Sequence, residues 1–444
     1  MIHRTHRIAP HRSPLRRVVA AGLAGVVLTV FLISCDSTTV SVLERDDLFR
    51  LEIGRLEDQV DLITRDGVLP HLRTSVAMQD GFIYIGNGPA NKVMEFTSFG
   101  DLIRLIYDPL QNPEPISLGV RSNAGTAGPG DTGNGDDTGA TGGSEAVRTR
   151  YATEYSFGQV GVVAVDSRRH LYVEDRVPPE RSVVDDSSGV QLNRIVVRFD
   201  DEGEPRDYIG QEGIGGTPFS HIESLSLTRR DELIVIARTM DARYFFMYTP
   251  SGDLMYTLRV GLDRLPIPSP DSDMIPVLEE MVGGVDRYRA YLKVSYYRTS
   301  IDEETGKEYG ITLDHSRVYW LDLDTGRYEG YVELPRETEG DGERHYELIG
   351  TTIGEYLLLL SRVDPGQTRL LIMNDEGRVV RRRNLYTPET DLVFREFAVT
   401  PRGVLTGLLG YEDYVDLVWW RADQLLPGIA ESDQRTGTDD GAEE

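Results

Sequence analysis

Cysteine is almost absent from this chain: Cys35 is the only one in 444 residues. An internal disulfide framework is therefore excluded. Histidine is also sparse. Beyond residue 34 only His71, His170, His221, His315 and His345 occur, and no two lie within ten positions of each other. Paired metal ligands of the H-E-x-x-H type are excluded by that spacing. There is no G-x-S-x-G elbow and no P-loop. The glycine-rich stretch Gly210–Gly216 runs into Thr217-Pro218-Phe219 rather than into a helix, which argues against a phosphate cradle.

One apolar run stands out, Val18 to Ile33, broken only by Gly22, Gly25 and Thr29. It is shorter than the roughly 20 residues that span a bilayer comfortably. Arg4, Arg7, Arg12, Arg16 and Arg17 precede it without any acid. Basic start, apolar centre and small residue before a cut make an export signal over 1–34. Leu32-Ile33-Ser34-Cys35 resembles the lipobox of bacterial lipoproteins. The resemblance implies cleavage after Ser34, a lipid on the Cys35 thiol and an extracytoplasmic, membrane-anchored envelope protein. Several acyl chains would anchor it stably. Residues 35–45 then form the lipidated start and a polar tether.

Basic residues are outnumbered throughout. The chain has 47 Lys and Arg against 73 Asp and Glu, a net charge of −26. Loss of the five signal arginines takes the charge to −31. Such a surface repels phosphate backbones, so nucleic acid is not a partner.

About 410 residues would remain, more than one compact domain usually holds, but an internal period is visible. Strand pairs joined by a turn that ends in glycine recur at Gly100, Gly203, Gly252, Gly326 and Gly377. Spacings of 49 and 51 residues alternate with longer ones that contain insertions. A further apolar strand precedes most of these hairpins, as in Gly81–Ile85, His170–Val173 and Glu232–Ile236. Short runs such as Ser75–Ala77 and Leu225–Leu227 come earlier still. Four antiparallel strands per unit make a propeller blade. The expectation is an all-β, six-bladed β-propeller over 46–426, with units near 74–107, 159–210, 221–260, 289–335, 345–386 and 392–424. The last unit holds three strands. The segment 47–53 alternates like a strand and would supply the fourth, closing the ring and removing a free edge.

The blades resemble NHL-type propellers. Asp166–Asp175 with Asn193–Phe199 and Gly203 carries the repeat best, and Asp80–Asn87 with Asn91–Phe96 repeats it. The resemblance implies a ring used for protein or ligand contact. Three segments look unlike blades. Residues 119–145 are rich in Gly, Thr and Asp, and are expected to be a disordered insertion. Residues 261–288 read as a Pro-rich inter-blade insertion with a short helix near Val277–Val282. Residues 427–444 read as an acidic disordered tail.

Candidate metal ligands are Glu154, His221, Glu223 and Glu396, each near an expected inner strand, where carboxylates from several blades could converge on the axis and hold calcium. No other cofactor and no catalytic residue is implied. Two functions stay open. One is a lipid-anchored binding or scaffold protein that presents a propeller face to an envelope protein or glycan. The other is a metal-dependent propeller hydrolase or lactonase with an axial site.

Overall fold

The computed structural model describes residues 40–62, 72–121, 150–186, 188–269, 273–301, 306–339, 342–364, 366–387 and 391–427. The signal segment, Cys35, nearly all of the 119–145 insertion and the tail from 428 onward lie outside the described residues. The chain divides into Met1–Ser41 and Val42–Glu444, and every strand below belongs to the second unit.

The fold is an all-β propeller of antiparallel sheets. Among the described residues the only helical pieces are short 3₁₀ turns, and no helix is long and apolar enough to cross a membrane. The first large sheet runs outward from Thr74–Gln79 through Phe82–Asn87, Lys92–Thr97 and Leu102–Tyr107. Tyr151–Glu154 then adds in parallel on the outside. The second begins at Val163–Val165 and the third at His221–Leu227. The fourth begins at Ile275–Gly283 and the fifth at Glu347–Thr351. A sheet that begins at Phe394–Val399 comes last. Its outermost strand is Asp46–Glu52, which pairs antiparallel with Tyr414–Trp420. The two ends of the unit thus meet in one sheet.

Side-chain period explains the packing. Central strands carry continuous apolar runs, such as residues 233–237 of Leu233–Arg238 and 357–360 of Leu357–Asp364, because both of their faces are covered there. Each apolar cluster lies between consecutive sheets: Phe199 and Val197 join Tyr84 and Val93, for example, and Phe245 and Met247 join Leu292 and Val294. One cluster brings Leu408, Val415 and Leu417 of the last sheet, with Leu51, against Val76, Ile83 and Phe96 of the first. The turn glycines read from the sequence all have positive φ, from +64° at Gly326 to +96° at Gly252. That is the left-handed region where a Cβ is penalised.

One element differs from expectation. Residues 277–282 are not helical but form most of the fourth inner strand, Ile275–Gly283. Pro276 sits near the start of that strand, where proline is tolerated. A bulge between Leu278 and Glu280 interrupts the two-residue period. The fourth sheet therefore starts at Ile275 rather than at 289, and the 275–283 part of the supposed insertion is blade. Its next two strands, Arg289–Ile301 and Glu308–Asp322, are the longest described, and their tip outruns both flanking strands.

Candidate functional site: the charged mouth of the axial cavity

The inner strands surround a cavity of about 460 Å³. Its wall is apolar along much of its length, with Val76, Met78, Val163, Val165, Leu225 and Met281. Charge gathers where the inner strands begin: Arg73, Glu223, Glu279, Glu280, Glu347, Arg395 and Glu396.

Two of these carboxylates are aimed by the same backbone device. Glu223 lies in a register shift between Ile222 and Ser224, and Glu279 in one between Leu278 and Glu280. A bulge re-aims a side chain that regular pairing would place elsewhere. Arg73 ties the mouth together. Its Nη1 donates to the Glu223 carbonyl oxygen at 2.5 Å, and its Nη2 lies 3.3 Å from Glu396 Oε1. The Glu223 carboxylate is held by Arg238 at 3.2 Å and Arg243 at 2.9 Å. Arg243 Nη1 in turn donates to the Glu279 carbonyl oxygen at 2.6 Å.

The fourth sheet carries the most buried part. Lys293 is 0% exposed, and its ammonium contacts Glu279 and, at 3.1 Å, Glu280. Ser295 Oγ and the Tyr297 hydroxyl each donate to Glu279 at 2.7 Å. Burial raises the Glu279 pKa, but Lys293 and these donors outweigh it and hold the group below its ordinary value. Glu280 goes the other way: burial exceeds the pull of Lys293 and raises it. Burial also raises Glu223 against its arginines and Glu396 against Arg73. His345, 3.5 Å from Glu279, is lowered by burial and by Lys293.

The ligand atoms of Glu279, Glu280 and His345 fall within 4.8 Å of one another, a spacing that could suit a metal. Lys293 already stands as the cation between the two carboxylates. Calcium takes six to eight oxygens, and this group offers two carboxylates and an imidazole. The donor set does not fit calcium while Lys293 is in place. Around the mouth, Glu223, Glu279, Glu280 and Glu396 are met by Arg73, Arg238, Arg243 and Lys293, and Glu347 and Arg395 also line it, so opposite charges there are equal in number.

No family model matches the chain, and no curated protein matches it. Among solved structures, the chain is similar to regucalcin, a calcium-binding protein from Agrobacterium tumefaciens. That likeness has 10% identity, covers 85% of this chain and 95% of the other, and has a TM-score of 0.35.

The four ligand candidates separate. Glu223 and Glu396 line the cavity and meet through Arg73. His221 starts the same inner strand as Glu223 but is exposed, opposite Arg238, and is not part of the cavity wall. Glu154 is far from inner: it ends a strand added outside the first sheet, where its Oε1 accepts from the Tyr107 hydroxyl at 3.4 Å. Sequence reasoning missed Arg73, Glu279, Glu280, Lys293 and Glu347. The adjacent Glu279-Glu280 pair inside an apolar run was the available signal.

Proposed function

We propose that this is a lipid-anchored protein of a bacterial cell envelope, held to a membrane through Cys35, whose NHL-like propeller is a binding scaffold. In this reading the ring has six blades and is closed by Asp46–Glu52. Six inner strands and the cluster joining last sheet to first support that count. The face it offers is the charged mouth, and its partner is an envelope protein or glycan. The observation that carries the scaffold reading is the Lys293 clamp. A site for metal chemistry needs carboxylates open to an ion, and here the Glu279–Glu280 pair already holds a cation supplied from within the chain.

The metal-dependent hydrolase reading draws on the Glu279, Glu280 and His345 grouping alone. Thermal melting of the full chain in calcium, manganese and zinc separates the two. The scaffold reading expects no rise beyond that seen with magnesium at equal ionic strength. A calcium-specific rise that Glu279→Gln and Glu223→Gln abolish would transfer the assignment to the hydrolase. Cross-linking in intact cells followed by mass spectrometry should then recover a specific envelope partner.

A further inference from the structure

A second cavity, of about 310 Å³, lies between the second and third sheets, away from the charged mouth. Its lining is unlike the rest of this acidic molecule. Arg168, Arg198, Arg206 and His170 face it, with Tyr172, Phe199 and Pro250 as an apolar wall. The basic groups come from separate elements: the first turn of the second sheet, its third strand and its fourth strand.

The cluster is partly preorganised. Arg198 is clamped by Asp207 through two contacts of 2.5 and 2.6 Å, and its Nη1 donates to the Pro250 carbonyl oxygen at 3.0 Å. It is fixed in place with donors to spare, since a guanidinium has five. His170 is oriented by buried Asp166, which holds Nδ1 at 2.9 Å and leaves Nε2 as the outward nitrogen. Arg168 makes no ion pair among the described residues, and Arg206 has only a 3.6 Å approach to Asp200. Both are therefore available to a ligand. Planar guanidinium forks together with an imidazole suit a tetrahedral dianion better than an ammonium ligand or a neutral sugar.

We propose that this cleft binds a phosphate monoester. The group would sit between Arg168, Arg206 and His170 Nε2, with the organic part of the ligand against Tyr172 and Pro250. Arg198 is a positioning residue: it holds the Pro250 turn and the Tyr172 side of the cleft. The phosphate can come from a soluble ester or from a lipid headgroup, and the test has an arm for each.

The full chain in neutral detergent is titrated with glycerol phosphate, followed by phosphorus NMR line broadening and by melting temperature, at fixed ionic strength in chloride. A second titration uses the same micelles doped with phosphatidic acid. The expected result is a saturable response in at least one arm. Arg168→Gln with Arg206→Gln should weaken it at least tenfold. Both side chains are exposed, so the double variant should melt like the parent without ligand. A response to the soluble ester alone places a metabolite in the cleft, and a response to the doped micelles alone places a lipid there. No saturable response in either arm, or a response the double variant keeps, overturns the proposal.

Discussion

Lys293 is an ammonium cut off from water, and its stability depends on two carboxylates that would repel each other without it. Removing one partner of a buried pair leaves uncompensated charge and costs about 3–5 kcal/mol. Lys293→Met should destabilise the fold by that order in urea denaturation. It should also open Glu279 and Glu280 to a cation, so that calcium raises the melting temperature of the variant but not of the parent. Two other buried groups set pH windows. Burial pushes the Asp175 carboxyl up to about 6, against backbone donors at Gln159 and Arg176. The folded chain then holds a proton that the unfolded chain has lost. Stability from this group is present below about pH 4 and is lost as pH rises to about 6. Burial lowers Lys92 to about 7. Here the unfolded chain holds the extra proton, so stability rises with pH from about 7 towards 10. Asp175→Asn should flatten the first slope and Lys92→Met the second, measured as denaturation midpoint against pH. Of these residues the sequence singled out none. Glu223 and Glu396 were legible because they sit on short runs before a hairpin. Glu154 was misplaced because a strand read alone does not reveal whether it lies inside or outside a sheet.

Elements were far more legible where local chemistry dictates them. Glycine is needed wherever the chain turns at positive φ, so the hairpins at Gly100, Gly203, Gly252, Gly326 and Gly377 could be placed to the residue. The strand at 275–283 could not. Its proline and paired glutamates look like a linker and a polar helix face, and only pairing with Arg289–Ile301 makes it a strand. The strand Asp46–Glu52 was legible from alternation alone. Leu51 from this strand is buried in the cluster between last and first sheets. Truncating it should cost about 2–5 kcal/mol, as for other buried leucines. Leu51→Ala tested by urea denaturation should fall in that range. A loss below 1 kcal/mol would mean that the strand is dispensable to the core.

For the whole molecule, the proposed anchoring and the propeller shape are separate properties. On the proposed anchoring, Cys35→Ser should move the protein from the membrane fraction to the soluble fraction without changing its melting temperature. Retention in the membrane after alkaline washing would show that another segment holds it. The net charge of −26 predicts weak adsorption to anionic vesicles, with salt relieving the repulsion. Architecture was readable here because a propeller repeats one simple pattern several times. The candidate site was not, because the charged mouth is assembled from residues hundreds of positions apart, such as Arg73 and Glu396.

The pairing of Asp46–Glu52 with Tyr414–Trp420 has a consequence for biogenesis. Asp46–Glu52, near the start of the described unit, must wait for nearly the last strand before it finds its neighbour. Until then an unfinished sheet is exposed at each end of the growing arc. Such a chain is expected to need a holding chaperone while it folds, and to tolerate new termini cut into a loop between sheets better than deletion of its final hairpin.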